Sequence, residues 1–362
     1  MPDSPLFSPR IHESPDSAAV QATEVITRVF ERIGPRIELV EAAMRDQFAA
    51  DSQLIGLIGE HVLSSGGKRL RPALVLLAAE LCGYSGPRCV QLAGAVELIH
   101  TATLMHDDVV DLADVRRGQP SANAVWGNRR AVLAGDFFYA RASTMIVEDG
   151  SLDVLRVFSD AIRSMAEGEL LQLERSFETS VTEAQYYAVI ERKSAALLSA
   201  SCAIGGIAAD VTRAEVRRLS EFGRELGLAF QLRDDALDYE SSQAVLGKAP
   251  LTDLREGKVT LPLIFALKRC TSNEREYMSS VLKTAAQQAA LGAGAAGESV
   301  GPADRELAAV CELVARYHGV RDTVRRAQEH VDRSADAIAA FPECSAKVAM
   351  LAAATFSVAR DR

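Results

Sequence analysis

Two short stretches concentrate the side chains that can do chemistry. "HDDVVD", residues 106 to 111, and "DDALD", residues 234 to 238, each follow a helical apolar stripe and repeat the spacing Asp-Asp-x-x-Asp. In an α-helix, residues four apart share a face and lie about 6 Å apart along the axis. Asp107 is thereby expected to point with Asp111, and Asp234 with Asp238. Carboxylates at this spacing suit hard divalent cations such as Mg²⁺, which takes one or two carboxylates, keeps waters and completes its shell with phosphate oxygens. If the two helices face each other, as many as six carboxylates line one cavity. Such a cavity repels itself until cations enter, and the cations then draw in an anionic substrate.

Short basic runs supply the counterpart. "GGKRLRP" at 66 to 72, "RRG" at 116 to 118 and "ERKSA" at 191 to 195 bring Lys68, Arg69, Arg71, Arg116, Arg117 and Lys193. Arginine forks match phosphate oxygens two at a time, so these runs beside two acidic motifs point to a pair of phosphate-bearing groups. Other chemistries find less support. His100 and His106 are six residues apart, on different faces of one helix, which argues against a shared zinc. Neither a GxSxG sequence nor a Cys and His pairing suggests a nucleophile.

The elements that must hold these groups read as helices. Of 362 residues, 48% are hydrophobic and only 6% aromatic, with no alternating runs of β-branched residues. Leu92, Ala95, Val96, Ile99, Ala102 and Thr103 fall at three- and four-residue steps and predict one inward stripe over 91–106. Comparable stripes run through 153–174, 184–209, 213–239, 260–270 and 304–337. The expected fold class is all-α, a helical bundle around a central cavity. Residues 1–22, rich in Pro and Ser, are expected to be a disordered tail. Residues 23–362 are expected to form a single helical domain, with 284–303 a flexible Ala- and Gly-rich insertion. "RRGQPSAN" is expected as a loop and "LGKAPLTDLREGKVTLP" as a long polar connection.

A net charge of −9 disfavours nucleic acid as a partner. Six dispersed cysteines without a CxxC pair read as buried apolar residues of a reducing compartment, and no apolar run is long enough to span a membrane. The expected location is cytoplasmic.

Taken in order, "GGKRLRP", "ELIHTATLMHDDVVDLADVRRGQPSANAVWGN", "LAGDF", "GELLQLE", "ERKSA", "FQLRDDALDY" and "DLREGKVTLPL" resemble the trans-isoprenyl diphosphate synthases, and within them the bacterial long-chain polyprenyl enzymes. The likeness runs from about residue 25 to the C-terminal "VARDR", apart from 284–303. It implies an isoprenoid-synthase helical bundle, usually a homodimer, that adds isopentenyl diphosphate repeatedly to an allylic diphosphate such as farnesyl or geranylgeranyl diphosphate. The product would be of about forty carbons and would serve as a quinone side-chain precursor; a shorter-chain geranylgeranyl or farnesyl diphosphate synthase is the alternative.

By the same resemblance, Asp107, Asp111 and Asp234 would hold Mg²⁺, three ions once substrate is bound, with Asp108, Asp235 and Asp238 supporting them. Arg116, Lys193, Ser194, Gln231 and Lys248 would meet the allylic substrate, and Lys258 would close over it. Lys68, Arg71, His100 and Arg117 would hold isopentenyl diphosphate. Ser194 stands where the family carries threonine, Arg233 where it is often apolar, and Asp253 alone where two acids often stand. Ala102 and Thr103, five and four positions before Asp107, are small where short-chain members carry aromatic residues, so an open tunnel for a long tail is expected. A terpene cyclase and a regulatory subunit are the other classes compatible with parts of this pattern; the "GGKRLRP" run argues against the first and the two complete aspartate motifs against the second.

Overall fold

Thr-x-x-Glu and Thr-x-x-Gln sequences open three of the helices, each by the same reciprocal cap. Thr182 and Gln185, Thr212 and Glu215, and Thr271 and Glu274 exchange bonds in which the threonine hydroxyl accepts from the backbone N–H three residues on and the longer side chain accepts from the threonine N–H. Each pair satisfies two amides that a helix start would otherwise leave unbonded.

The computed structural model describes residues 15–240, 251–292 and 304–359. Along the chain run α1 (Pro15–Asp46), α2 (Gln53–Ser64), α3 (Leu70–Leu81) and α4 (Arg88–Val110). A two-stranded hairpin follows, β1 (Val115–Arg116) paired antiparallel with β2 (Gln119–Pro120), then α5 (Ala122–Trp126), α6 (Asn128–Asp149), α7 (Leu152–Glu174) and α8 (Glu183–Ile190). A π-helical turn, Glu191–Ala195, joins α8 to α9 (Ala196–Ala208). The remainder comprises α10 (Arg213–Glu240), α11 (Thr252–Arg255), α12 (Leu261–Arg269), α13 (Ser272–Gly292), α14 (Asp304–Arg316), α15 (Gly319–Ala337) and α16 (Ser345–Ala359). The class is the expected one.

At the centre is α4, which packs along α6 and also meets α1, α3 and α9. It is buried around most of its circumference, Cys89, Leu92, Ala95, Leu98, Ile99 and Ala102 alike, rather than along the single stripe its spacing suggested. A helix surrounded by other helices has no wet face, so periodicity understates its burial. Leu98 and Ile99 are fully enclosed, and truncating either to Ala is expected to cost roughly 2–5 kcal/mol. The second acidic motif rides on α10, which lies between α15 and α9.

Four expectations change. Helix α1 reaches back to Pro15, because the Ala- and Glu-containing sequence after it favours helix as far as the proline. Helix α13 continues to Gly292, so the first part of the 284–303 insertion extends a helix. The stripe at 304–337 is two helices. The chain turns at His318, with φ of +58°, so that Gly319 can pass against the backbone carbonyl of Pro262. Finally, the "RRG" loop is a hairpin whose turn residues Arg117 and Gly118 both have positive φ, the geometry that suits a two-residue antiparallel connection.

Candidate active site

Chemistry collects at the end of the bundle where α4 and α10 terminate, and it divides into a cationic and an acidic half. The cationic half is wired by the protein itself. Arg71, in the first turn of α3, donates from Nη1 to His100 Nε2 of α4 at 2.9 Å. Nε2 is then the accepting nitrogen, which places the imidazole proton on Nδ1. Burial, followed by the charges of Arg71, Arg117, Arg116 and Arg69, holds His100 well below its usual range, so the ring is neutral. The hairpin turn brings Arg117 to the Gly66 carbonyl, within reach of the Arg71 charge. Lys68 lies 5.8 Å from the ring centre of Phe356 on α16. Buried Nε of Arg71 meets no acceptor among the described residues, an unfilled donor suited to an anion.

Arg69, between Lys68 and Arg71 in sequence, is turned away from this group. With φ of +44° it bonds Glu41 at 2.9 Å, Glu97 at 3.1 Å and the Leu63 carbonyl at 3.2 Å. It fixes the strand between its two neighbours, and no helical spacing betrays the acids that hold it.

The acidic half is crowded. Burial, then the nearby Glu169 charge, with Asp111 adding to it, lifts Asp107 to about 6 against the pull of Lys193. Asp111 caps α4, its N–H donating to the Asp107 carbonyl at 2.7 Å. Asp108 is buried and accepts from Arg116 Nε at 2.5 Å, an ion pair that ties the hairpin to α4. Lys193 sits in the π turn, 2.6 Å from Glu169 of α7. That turn fits because Gly168 of α7 and Gly227 of α10 press on it from both sides. A Cβ on either would fall 2.6 Å from backbone atoms of Lys193 and Ala195 respectively. π turns often mark functional positions inside helices, and this one carries both Lys193 and Ser194.

On α10 the second motif is anchored through its neighbours. Ser194 donates to Gln231 Oε1 at 2.6 Å, and Gln231 Nε2 donates to Asp235 Oδ1 at 2.8 Å. Tyr186 donates to the other Asp235 oxygen. The Gln231 amide thereby ties the π turn to the motif, while the side chain also lines the cavity between them. Burial outweighs the bonds from Tyr186 and Gln231 and holds Asp235 at about 7. The Asp238 carboxylate accepts from the amides of Thr252 and Asp253, each at 3.1 Å, and so caps α11. Asp253 is pushed well up by burial and by Asp235 and Asp238. Lys258 pairs with Glu256 at 2.5 Å. Burial alone would lower its ammonium, but Glu256 and Asp253, with Asp111 beyond them, raise it instead. Lys193 and Lys258 thus stand between the two motifs, around a cavity of about 170 Å³ that Ser194, Gln231, Asp235 and Asp253 also line.

Among the described residues no three His, Cys, Asp or Glu side chains close on one point as a ready-made metal cage. The donors are all hard oxygens, and burial raises Asp107, Asp108, Asp235 and Asp238 among them, which fits an ion that borrows only one or two carboxylates and fills its shell with water and ligand oxygens. Lys248 lies outside the described residues. Thr103 is half-buried one helical turn below Asp107, its hydroxyl bonded to the His100 carbonyl at 2.8 Å, whereas Ala102 is sealed in the core. Glu169, Tyr186 and Glu97 were not singled out from sequence; "GELLQLE" and "QYY" hold the first two but offer no spacing signal for them.

An all-helical bundle that sets a protein-built cationic pocket against a cation-hungry acidic one defines a transferase working on two phosphorylated substrates. Residues 52–293 match the model of the polyprenyl synthetase family, and the chain belongs to that family. It is 41% identical to the octaprenyl diphosphate synthase of Escherichia coli over 323 residues, covering 89% of this chain and 95% of that one. Its fold matches a polyprenyl synthase of Caulobacter crescentus, solved with calcium and isoprenyl diphosphate, at a TM-score of 0.82 and 36% identity, covering 98% of this chain and 100% of the other. It matches a decaprenyl diphosphate synthase of Rhodobacter capsulatus at 0.84 and 34%, over 93% and 99%. The chain is a prenyltransferase of the long-chain trans-polyprenyl diphosphate synthases.

Proposed function

We propose that the enzyme condenses isopentenyl diphosphate head-to-tail onto an allylic diphosphate, farnesyl or geranylgeranyl, in repeated Mg²⁺-dependent steps, to a product of about forty carbons destined for a quinone side chain. The observation that carries this reading is the opposition of the Arg71–His100–Arg117 pocket, which needs no added cation, to the aspartates around Lys193 and Lys258, which do. Isopentenyl diphosphate belongs in the first, on Lys68, Arg71, His100 and Arg117. The allylic diphosphate belongs in the second, where Asp107, Asp111 and Asp234 would hold Mg²⁺, three ions with substrate bound. Bound there, Mg²⁺ supplies Lewis-acid neutralisation of the departing diphosphate.

Lys193 and Lys258 add fixed positive charge where the allylic C–O bond breaks and its electron pair leaves with the diphosphate. The double bond of isopentenyl diphosphate, oriented by the cationic pocket, attacks the allylic carbon, and the proton lost afterwards passes to the released diphosphate. That route makes no demand for a protein base, in keeping with a neutral, bonded His100.

Several finer features have support. Exposed Leu133, Tyr139 and Val147 on α6 and Leu170 and Leu173 on α7 form apolar faces suited to a second copy, which favours a homodimer. All six cysteines are free thiols, which favours the cytoplasm, and no described helix is long and apolar enough to cross a membrane. Thr103, half-buried below Asp107, is the better placed of the two small residues to admit a growing tail. Incubation with Mg²⁺, farnesyl diphosphate and labelled isopentenyl diphosphate, followed by sizing of the dephosphorylated products, is expected to give one discrete long polyprenol that EDTA abolishes. Products of twenty carbons or fewer would overturn the assignment of length, and no incorporation would overturn the reaction. Thr103→Phe is expected to shorten the product. Ala102→Phe is expected instead to overpack the core, at roughly 1–3 kcal/mol.

A further inference from the structure

The turn between α7 and α8 centres on Phe177, whose φ is +66°. A bulky side chain is rarely found in the left-handed region, because its Cβ crowds the neighbouring carbonyl. What holds it there comes from 80 residues further along the chain. The Phe177 N–H donates to the Gly257 carbonyl at 2.7 Å, and the ring covers Gly257 so closely that an added Cβ would fall 2.5 Å from it. Gly257 has φ of +77° and closes the turn after α11. The next residue is Lys258, whose N–H returns to the Asp253 carbonyl at 2.8 Å and whose ammonium lies within the field of Asp253 and Asp111. Strained backbone of this kind persists only where its surroundings over-determine it, and it gathers at functional sites.

We propose that Phe177 is a positioning residue for Lys258: by clasping Gly257 it fixes the α11–α12 segment to the end of α7, so that Lys258 is delivered between the two aspartate motifs. Helix α7 also carries Glu169, the partner of Lys193, so the clasp sets the two cavity lysines relative to one another. The inference rests on the reading of Lys258 as a contact to the allylic diphosphate.

Phe177→Asn keeps a residue tolerant of positive φ and removes the ring. Steady-state kinetics, with each substrate varied in turn, are compared for Phe177→Asn, Lys258→Ala and the double variant. Phe177→Asn is expected to raise KM for the allylic diphosphate roughly 10- to 100-fold, the scale set by a small misplacement of a binding group. KM for isopentenyl diphosphate is expected to stay within about twofold, and the double variant to be no worse than Lys258→Ala, because the two changes act through one contact. Phe177→Leu, apolar but without the ring, is expected to shift the same KM in the same direction by less. A merely structural turn would instead lower Tm and disturb both KM values alike, or multiply with Lys258→Ala, and either result overturns the proposal. Wild-type behaviour of Phe177→Asn beside an impaired Lys258→Ala overturns the clasp alone. Wild-type behaviour of Lys258→Ala overturns the assignment of Lys258, and the clasp with it.

Discussion

The two halves of the site are built on opposite electrostatic plans. In the cationic half Arg71, His100 and Arg117 are tethered, Arg71 and His100 to each other and Arg117 to the Gly66 carbonyl, and the linking Arg69 is held by Glu41 and Glu97. In the acidic half Asp108, Asp235 and Asp238 are tied to the protein by Arg116, by Gln231 with Tyr186, and by the amides of α11. Asp107 remains in a field of like charges. One pocket is therefore complete as folded, while the other is organised to be completed by added cations. A diphosphate that must stay intact suits the first, and a diphosphate that must leave suits the second, where charge develops and has to be met.

The sharpest way to break this comparison is to remove charge from the acidic half. Asp234→Ala, or chelation of the metal, is expected to lower kcat by at least about 10²–10³-fold, the scale seen when one preorganised electrostatic element is lost. Binding of isopentenyl diphosphate to the metal-free protein, measured by calorimetry, is expected to be unchanged by either treatment. Loss of that binding along with turnover would mean that the two halves are not independent.

Arg117→Ala tests the other side at smaller scale. A hydrogen bond to a charged group is worth roughly 1.5–3 kcal/mol, so KM for isopentenyl diphosphate is expected to rise roughly 10- to 100-fold. The Mg²⁺ concentration for half-maximal rate is expected to stay where it was. A shifted Mg²⁺ requirement would place Arg117 on the leaving diphosphate instead.

The motifs and the helix class were legible because they depend on local spacing: DDVVD closes α4, and DDALD lies in the last described turns of α10. What the spacing did not reveal was which distant groups each side chain of the motifs meets. Four-residue periodicity places Asp238 on the face of Asp234 but gives no sign that its carboxylate accepts from the amides of Thr252 and Asp253, residues brought in by a tertiary turn. Nor does it show that the Gln231 amide joins Ser194 to Asp235. The π turn was invisible for a related reason, since it exists because Gly168 and Gly227 let two other helices close on it. Roles that depend on partners distant in sequence have no periodic signature.

The same contrast has a small consequence for pH, with opposite signs in the two halves. Burial, aided by like charge, raises Asp107 to about 6 and Asp235 to about 7 in the folded protein, against about 3.9 unfolded. Folding therefore takes up protons there, and the stability this contributes is lost as pH rises through 6 to 7. His100 is held well below its unfolded value, so its contribution is present above about pH 6.5 and is lost as pH falls below that, where only the unfolded chain takes the proton. Metal-free protein is accordingly expected to gain of order 1 kcal/mol, a rise of a few degrees at most in Tm, on going from pH 8 to 6.5, and then to rise less steeply than the two carboxylates alone would give, because one His100 proton opposes them. His100→Asn should rise more steeply than wild type below pH 6.5, and saturating Mg²⁺ with inorganic diphosphate should flatten the gain above it, because bound cations stabilise the ionised carboxylates in the folded state. A Tm that falls steadily from pH 8 to 6.5 would show that the aspartates are already neutralised by the protein, and the distinction between the two halves would fail.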